Sequence, residues 1–70
     1  MADAIDIQLN GEVRHVATGT SIVALLRELG LDERTVVVEV NRQIIRRTEI
    51  EAVFLKRGDC IELVHFVGGG

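Results

Sequence analysis

Alternating apolar and polar residues open the chain. Ile5, Ile7 and Leu9 alternate with Asp6 and Gln8, a period of two that is typical of a strand with one buried face. Asn10-Gly11 follows and predicts a tight hairpin turn, because both residues tolerate a positive φ. The returning strand is predicted over Glu12–Ala17.

A two-residue turn also fixes the register of this hairpin. It pairs Leu9 with Glu12, Ile7 with Arg14, and Ile5 with Val16. This places Glu12 and Arg14 on the apolar side of the sheet. An edge strand tolerates the conflict, since long charged side chains reach water from there.

The apolar spacing then changes to that of a helix. Apolar residues recur at i, i+3, i+4 and i+7, as Ile22, Leu25, Leu26 and Leu29, and form one continuous stripe. Thr20 or Ser21 is the expected N-cap. Gly30 is expected just after the helix, in a left-handed conformation that lets Leu31 pack back on Leu26.

The second half of the chain predicts three further strands. Thr35–Val40 reads as an interior strand, Asn41–Gln43 as a turn, and Ile44-Ile45 as a short strand. In residues 46–57 we expect a helical turn and a connector. The apolar residues of this segment are expected to pack against the sheet: Ile50, Val53, Phe54 and Leu55. After a turn at Gly58-Asp59, the last strand is predicted over Cys60–Val67.

This order of elements predicts an α+β fold. One helix covers one face of a mixed sheet of four to five strands, since 70 residues allow only two layers. The last strand is apolar on both faces and belongs near the centre of the sheet. The arrangement is that of a β-grasp, or ubiquitin-like, domain over residues 1–67, followed by a flexible glycine tail at residues 68–70.

Composition excludes several classes of protein. No stretch approaches the roughly 18 apolar residues of a membrane span, and the acidic N-terminus does not resemble a signal peptide. One cysteine excludes an internal disulfide framework and a cysteine zinc site. A net charge of −3 with only two aromatic residues argues against nucleic-acid binding. We expect a cytoplasmic protein.

Residues that could carry catalysis are few. His15 and His65 lie on different strands, and solvated or partly packed histidines are the expectation for both. Cys60 precedes an apolar strand and is expected to pack as a small hydrophobic residue. The sequence therefore predicts neither a catalytic constellation nor a metal site.

Charged residues, and apolar residues predicted to lie on the surface, are unevenly distributed along the chain. Residues 41–57 carry a net +3 and the remainder −6, a distribution that an oppositely charged partner could use. Val64 and Phe66 are predicted on the sheet face away from the helix, where exposed apolar residues suggest protein docking together with Val67. The alternative is a bulged strand that buries Phe66.

The three glycines Gly68, Gly69 and Gly70 carry the strongest functional signal. Glycine there has no packing value and the highest ordering cost. It suits a terminus that threads a narrow channel in a partner, with the carboxylate of Gly70 as the reacting group. A carboxylate with a pKa of about 3.5 is a poor electrophile, so a partner must activate it, most simply by adenylation.

The sequence resembles ThiS-type sulfur carriers of thiamine biosynthesis along nearly its whole length. The resembling stretches are Asn10-Gly11-Glu12, Thr20–Leu26, Val38–Asn41, Gly58–Leu63 and the ending Val64–Gly70. The family commonly has a proline after its fourth strand. Ile44-Ile45-Arg46-Arg47 has none, so that turn is expected to differ.

The resemblance implies a mechanism and a set of partners. A ubiquitin-activating-like adenylyltransferase would use ATP and Mg²⁺ to adenylate Gly70. Sulfur from a cysteine desulfurase route would replace AMP and leave a thiocarboxylate, which thiazole synthase would consume. The chain would be a cosubstrate and not an enzyme, and would bind no cofactor itself.

Three other interpretations remain open at this point. The small subunit of molybdopterin synthase shares the fold and a terminal Gly-Gly. A ubiquitin-like modifier would couple the same activated carboxyl to an amine. A plain β-grasp interaction domain would have an inert tail.

Overall fold

A five-stranded mixed sheet with one helix packed on it makes up the computed structural model, which describes residues 3–65. The strands are β1 (Ala4–Leu9), β2 (Glu12–Ala17), β3 (Val36–Val40), β4 (Gln43–Ile45) and β5 (Cys60–His65). The helix α1 spans Ile22–Glu28, and a 3₁₀ helix η1 spans Glu33–Thr35. The sheet order is β2-β1-β5-β3-β4, with β1 and β5 parallel and the other neighbours antiparallel. The α+β prediction with a central last strand is confirmed.

The β1–β2 hairpin has the predicted register. Leu9 pairs with Glu12, Ile7 with Arg14 and Ile5 with Val16. Asn10 and Gly11 both have positive φ, 50° and 85°, as a two-residue turn of this kind requires. The side chain of Arg14 is 39% exposed, and its Nη2 lies 3.9 Å from Glu28 Oε1. Arg14, which lies on the apolar side of the sheet, thus reaches Glu28 at the end of the helix.

The helix α1 begins at a serine cap. Ser21 Oγ accepts a hydrogen bond from the Ala24 N–H at 3.1 Å, so Ser21 and not Thr20 is the N-cap. Thr20 instead donates its hydroxyl to the Ala17 carbonyl at 2.6 Å. Both candidate residues are therefore used, one for the helix and one for the loop that leads into it.

The helix ends at a glycine in the predicted conformation. Gly30 has a φ of +73°, and its N–H bonds the Arg27 carbonyl at 3.0 Å. The Leu31 N–H bonds the Leu26 carbonyl at 2.9 Å. These two bonds form a Schellman motif, which turns the chain back and packs Leu31 against the core.

The core lies between α1 and one face of the sheet. Its least exposed members, each with under 2% of the residue exposed, are Ile7, Ile22, Leu25, Leu26, Ile50 and Ile61. They come from two strands, the helix and the connector before β5. Since every layer contributes, the connector is part of the fold and not a surface loop.

The connector corrects one prediction. Ile50 and Leu55 are buried as expected, and Val53 is half-buried, but Phe54 is 56% exposed. The reason is that Phe54 forms a β-bridge with Ser21. In an extended segment successive side chains point to opposite faces, so Val53 and Leu55 face inward while Phe54 faces outward.

Two predicted boundaries are wrong by one residue. Thr35 belongs to η1 and not to β3, because the Asp32 carboxylate accepts the Arg34 N–H and starts a 3₁₀ turn. Gln43 belongs to β4, because the preceding turn has only two residues. Asn41 and Arg42 both have positive φ, 52° and 71°. Within residues 3–65, no helix is long and apolar enough to cross a membrane.

Candidate functional site

The predicted site residues divide between two parts of the chain. Val64 lies on β5 and is 54% exposed on the sheet face away from α1, as predicted. Phe66 and Val67, the rest of the predicted docking group, lie outside the described residues, and so do Gly68, Gly69 and Gly70. The predicted tail, the end of the 1–67 domain and the alternative burial of Phe66 therefore stay predictions.

The strand β5, which leads toward this tail, lies in the centre of the sheet. It runs parallel to β1 on one side and antiparallel to β3 on the other. Ile61 and Leu63 are buried against the helix side, with 1% and 9% of each residue exposed. At the last described position His65 pairs with Val36 at the start of β3. Residues 62–65 of β5 thus pair with β3 alone, while Cys60 and Ile61 pair with β1.

Asn10 fixes β5 from the β1 side. Its backbone N–H donates to the Ile61 carbonyl at 2.9 Å. Its side-chain Oδ1 accepts the Leu63 N–H at 2.8 Å. The strand β1 has ended at Leu9, so the asparagine side chain takes the place of the next backbone acceptor in the ladder.

Asn41 fixes the beginning of β5 from the β3 side. Its N–H donates to the Cys60 carbonyl at 2.8 Å, and its Oδ1 accepts the Cys60 N–H at 2.9 Å. Its Nδ2 donates to Asp59 Oδ1 at 3.1 Å. The other oxygen of buried Asp59 accepts the Lys56 N–H at 2.8 Å. Sequence reasoning marked Asn10 and Asn41 as turn residues and missed that both hold β5.

The sheet face opposite the helix carries exposed apolar side chains. Val13, Ile44 and Val64 have 66%, 68% and 54% of their surface exposed. Val37 pairs directly with Val64 across β3 and β5 and is half-buried. Val37 and Val64 are therefore neighbours near the centre of the sheet, whereas Val13 and Ile44 lie on its two opposite edge strands.

The centre of this face is acidic. Glu39 pairs directly with Glu62 across β3 and β5, and like charges in that position destabilise a sheet. Glu39 also pairs with exposed Ile44 on the edge strand β4. The sheet face opposite the helix, called the outer face from here on, therefore carries exposed apolar side chains on both sides of two carboxylates.

The titratable side chains of residues 3–65 do not form a catalytic group. His15 hydrogen-bonds Asp6 on the outer face, and both are exposed. Cys60 is exposed, with its Sγ 3.8 Å from Gln8 Oε1, so the prediction that it packs as a small hydrophobic residue is wrong. It precedes the first inward position of β5, Ile61, and therefore points outward. Among residues 3–65 no cluster of three metal-ligating side chains occurs.

An ion pair lies near the start of β3. Asp32 bonds the Arg34 guanidinium at 3.0 and 3.2 Å and its backbone N–H at 2.8 Å. The side-chain hydrogen bonds with Arg34 lower the pKa of Asp32 from its ordinary value of 3.8, and they raise the pKa of Arg34. Both side chains are well exposed, so the pair contributes little to stability.

Comparison with known proteins gives consistent results. The ThiS family model matches residues 7–70. The chain is 42% identical over 65 residues to the sulfur carrier protein ThiS of Bacillus subtilis, which covers 91% of this chain and 98% of that protein. It is 44% identical over 64 residues to a thiazole synthase of Magnetococcus marinus, covering 91% of this chain. The chain spans only 20% of the length of that relative.

A solved structure is similar as well. The crystal structure of the thiamine biosynthesis protein ThiS from Geobacter metallireducens superposes with a TM-score of 0.80 at 30% identity. The match covers 94% of this chain and all of that one. The family match includes the whole of β5 and the glycines that follow it. This chain belongs to the ThiS family.

Proposed function

We propose that the chain is a sulfur carrier of thiamine biosynthesis. The single observation that carries the proposal is the match to the ThiS family over residues 7–70. It is supported by the similarity to the Bacillus subtilis protein, which bears the name of a sulfur carrier and aligns over nearly its whole length. The absence of a catalytic group in residues 3–65 is compatible with a cosubstrate but is no argument for one.

The reacting group of the carrier is the carboxylate of Gly70. A partner adenylyltransferase binds ATP and Mg²⁺, and a carboxylate oxygen attacks the α-phosphorus with loss of pyrophosphate. The terminal sulfur of a persulfide, formed through a cysteine desulfurase, then attacks the acyl carbon, and AMP leaves. A thiol reduces the resulting acyl disulfide, which leaves the thiocarboxylate on Gly70 and a disulfide on the sulfur donor. Adenylation is required because a free carboxylate has no adequate leaving group.

The role of the folded domain is to present this terminus. The strand β5 is paired with β3 as far as His65 and is held by the side chains of Asn10 and Asn41, so its position in the sheet is fixed. Glycines without side chains fit a narrow channel in the partner. We assign partner docking to the outer face at Val64 and expect Phe66 and Val67 to take part in it.

Thiazole synthase is the proposed acceptor of the sulfur. The Magnetococcus marinus relative bears that name and contains a region similar to this chain within a longer protein. A carrier domain and its acceptor joined in one protein would act at a high effective concentration. This favours the thiamine pathway over the other sulfur-carrier pathways for which the fold is suitable.

The test is to change the terminus and leave the domain intact. One variant lacks Gly70 and a second carries one extra residue after it. In a strain that needs this carrier to make thiazole, both should fail to restore growth, whereas the exposed-loop control Thr48→Ala should restore it. Equal thermal unfolding midpoints would show that all variants fold. Growth supported by the extended variant would contradict the assignment of the Gly70 carboxylate.

A further inference from the structure

Two glutamates lie side by side on the outer face. Glu39 pairs with Glu62 across β3 and β5, and their side chains point to the same side because directly paired residues share a face of the sheet. Glu39 is half-buried and Glu62 is exposed. None of the salt bridges formed within residues 3–65 includes either carboxylate. The free chain therefore carries the repulsion of two like charges in the middle of its sheet.

A depression with a volume of about 170 Å³ lies at these two carboxylates. Its lining joins both glutamates with Gln8, Cys60 and Arg42. Arg42 forms no salt bridge with either glutamate in the part of the chain that the structure describes. Two carboxylates against one guanidinium leave the depression acidic, and the Gln8 carboxamide adds a further hydrogen-bond acceptor.

Apolar side chains flank the glutamates. Val37 and Val64 form the next outward pair along β3 and β5, on the side toward the tail. Ile44 pairs with Glu39 from the edge strand β4 and is 68% exposed. A side chain that fits this surface needs an apolar stem and a cationic end. Arginine meets both needs, because its stem packs on apolar groups and its planar guanidinium can donate to two carboxylates.

The position of this surface relates it to the proposed function. Val64 directly precedes His65, the last described residue of β5. The glutamate pair lies two residues further back along the same strands. A protein that takes up the terminus therefore meets Val64 first and the two carboxylates next.

We propose that the outer face docks on a basic surface of the protein that takes up the terminus, where an arginine of that protein places its guanidinium between Glu39 and Glu62. Apolar groups around that arginine contact Val64 and Ile44. Because the cation relieves the repulsion between the glutamates, a pair that is unfavourable in the free chain becomes favourable in the complex. This inference rests on the proposed function and adds the chemistry of the surface that the carrier meets.

The test compares two charge-matched variants of the full chain. Glu39→Gln with Glu62→Gln removes both carboxylates from the depression. Glu12→Gln with Glu51→Gln removes two exposed carboxylates outside it. Calorimetry measures binding to the cognate adenylating enzyme and, separately, to the cognate thiazole synthase. With at least one of these proteins we expect the first variant to bind about tenfold more weakly at low salt, and the second to change less than about twofold.

Urea denaturation of the free chain separates docking from folding. Removal of the Glu39–Glu62 pair should raise the urea midpoint by about 0.3 M at low salt, because the repulsion is gone. The control variant should show a smaller change. A side chain with a merely structural role would not weaken binding while it stabilises the free chain. A lower midpoint for the Glu39→Gln, Glu62→Gln variant would overturn the inference.

Two other results would also overturn it. One is equal affinity of the two double variants for both proteins. The other is a complex in which the NMR signals of the Val64 and Ile44 methyl groups do not shift. If the chain is still converted to the thiocarboxylate in these cases, the carrier function stands and only the docking inference is wrong. A wild-type chain that binds neither protein and gains no sulfur contradicts the proposed function and this inference together.

Discussion

The side-chain oxygen of Asn10 accepts the backbone N–H of Leu63 at 2.8 Å, across 53 positions of sequence. The bond joins the first hairpin turn to the strand that leads toward the glycine tail. Asn10 can act in this way because its φ of +50° turns the side chain toward β5, a conformation that asparagine adopts more readily than most residues. Turn formation and the placement of β5 thus depend on one side chain.

Two substitutions at this position separate its roles. Asn10→Gly keeps the left-handed backbone but leaves the partly buried Leu63 N–H without its acceptor, and should cost about 1 kcal/mol of unfolding free energy. Asn10→Ala loses the acceptor and adds strain at positive φ, so about 2 kcal/mol is expected. Urea denaturation measures both. Equal stability of Asn10→Gly and the wild type would show that the side-chain bond contributes nothing.

Arg42 is a candidate for stabilisation. Its φ of +71° lies in the second position of a two-residue hairpin turn, where glycine is preferred. Arg42→Gly should raise the unfolding free energy by about 0.5 kcal/mol, since the relief of strain exceeds the added freedom of the unfolded chain. A loss of stability, seen as a lower urea midpoint, would mean that the arginine side chain makes a favourable contact that outweighs the strain.

The centre of the core should be the most sensitive part of the molecule. Leu25 is fully buried on α1, and Leu25→Ala should cost about 3 kcal/mol through lost burial and the cavity left behind. Val23→Ala on the same helix serves as the control, because Val23 is only partly buried, and should cost about 1 kcal/mol. Similar urea midpoints for the two variants would contradict the packing described.

The Asp32–Arg34 pair makes a prediction about pH. Arg34 lowers the pKa of Asp32 below 3.8, so the pair stabilises the folded state above that pH and loses this effect as the pH falls through the lowered pKa. The stability difference between the wild type and Arg34→Gln should therefore shrink on acidification below 3.8. NMR titration of the Asp32 carboxyl should show a higher pKa in the variant. A difference that grows in acid would contradict the account.

Local pattern predicted most of the fold, for identifiable reasons. The Asn10-Gly11 turn determined the hairpin register, and the apolar stripe with Gly30 determined the helix and its end. The errors come from contacts distant in sequence. Phe54 faces outward because its segment pairs with Ser21, a pairing that no local pattern reveals. The 3₁₀ turn at Thr35 depends on the Asp32 carboxylate, which could equally have pointed into solvent.

The candidate site was less predictable than the fold. The exposure of Val64 followed from strand alternation. The contacts of Asn10 and Asn41 with β5 did not, because a turn residue gives no sign of which distant strand it will meet. The functional role of the glycine tail is predicted from sequence and resemblance alone and stays a prediction.

The measurement that tests the central claim most directly is the intact mass of the chain after incubation with ATP, Mg²⁺, the cognate adenylating enzyme and a sulfur donor. A carrier should gain the mass difference between one sulfur and one oxygen, and fragmentation should place the gain on Gly70. The gain should be absent without ATP and in the variant that lacks Gly70. An unchanged mass with an adenylating enzyme that is active on another ThiS protein would contradict the account.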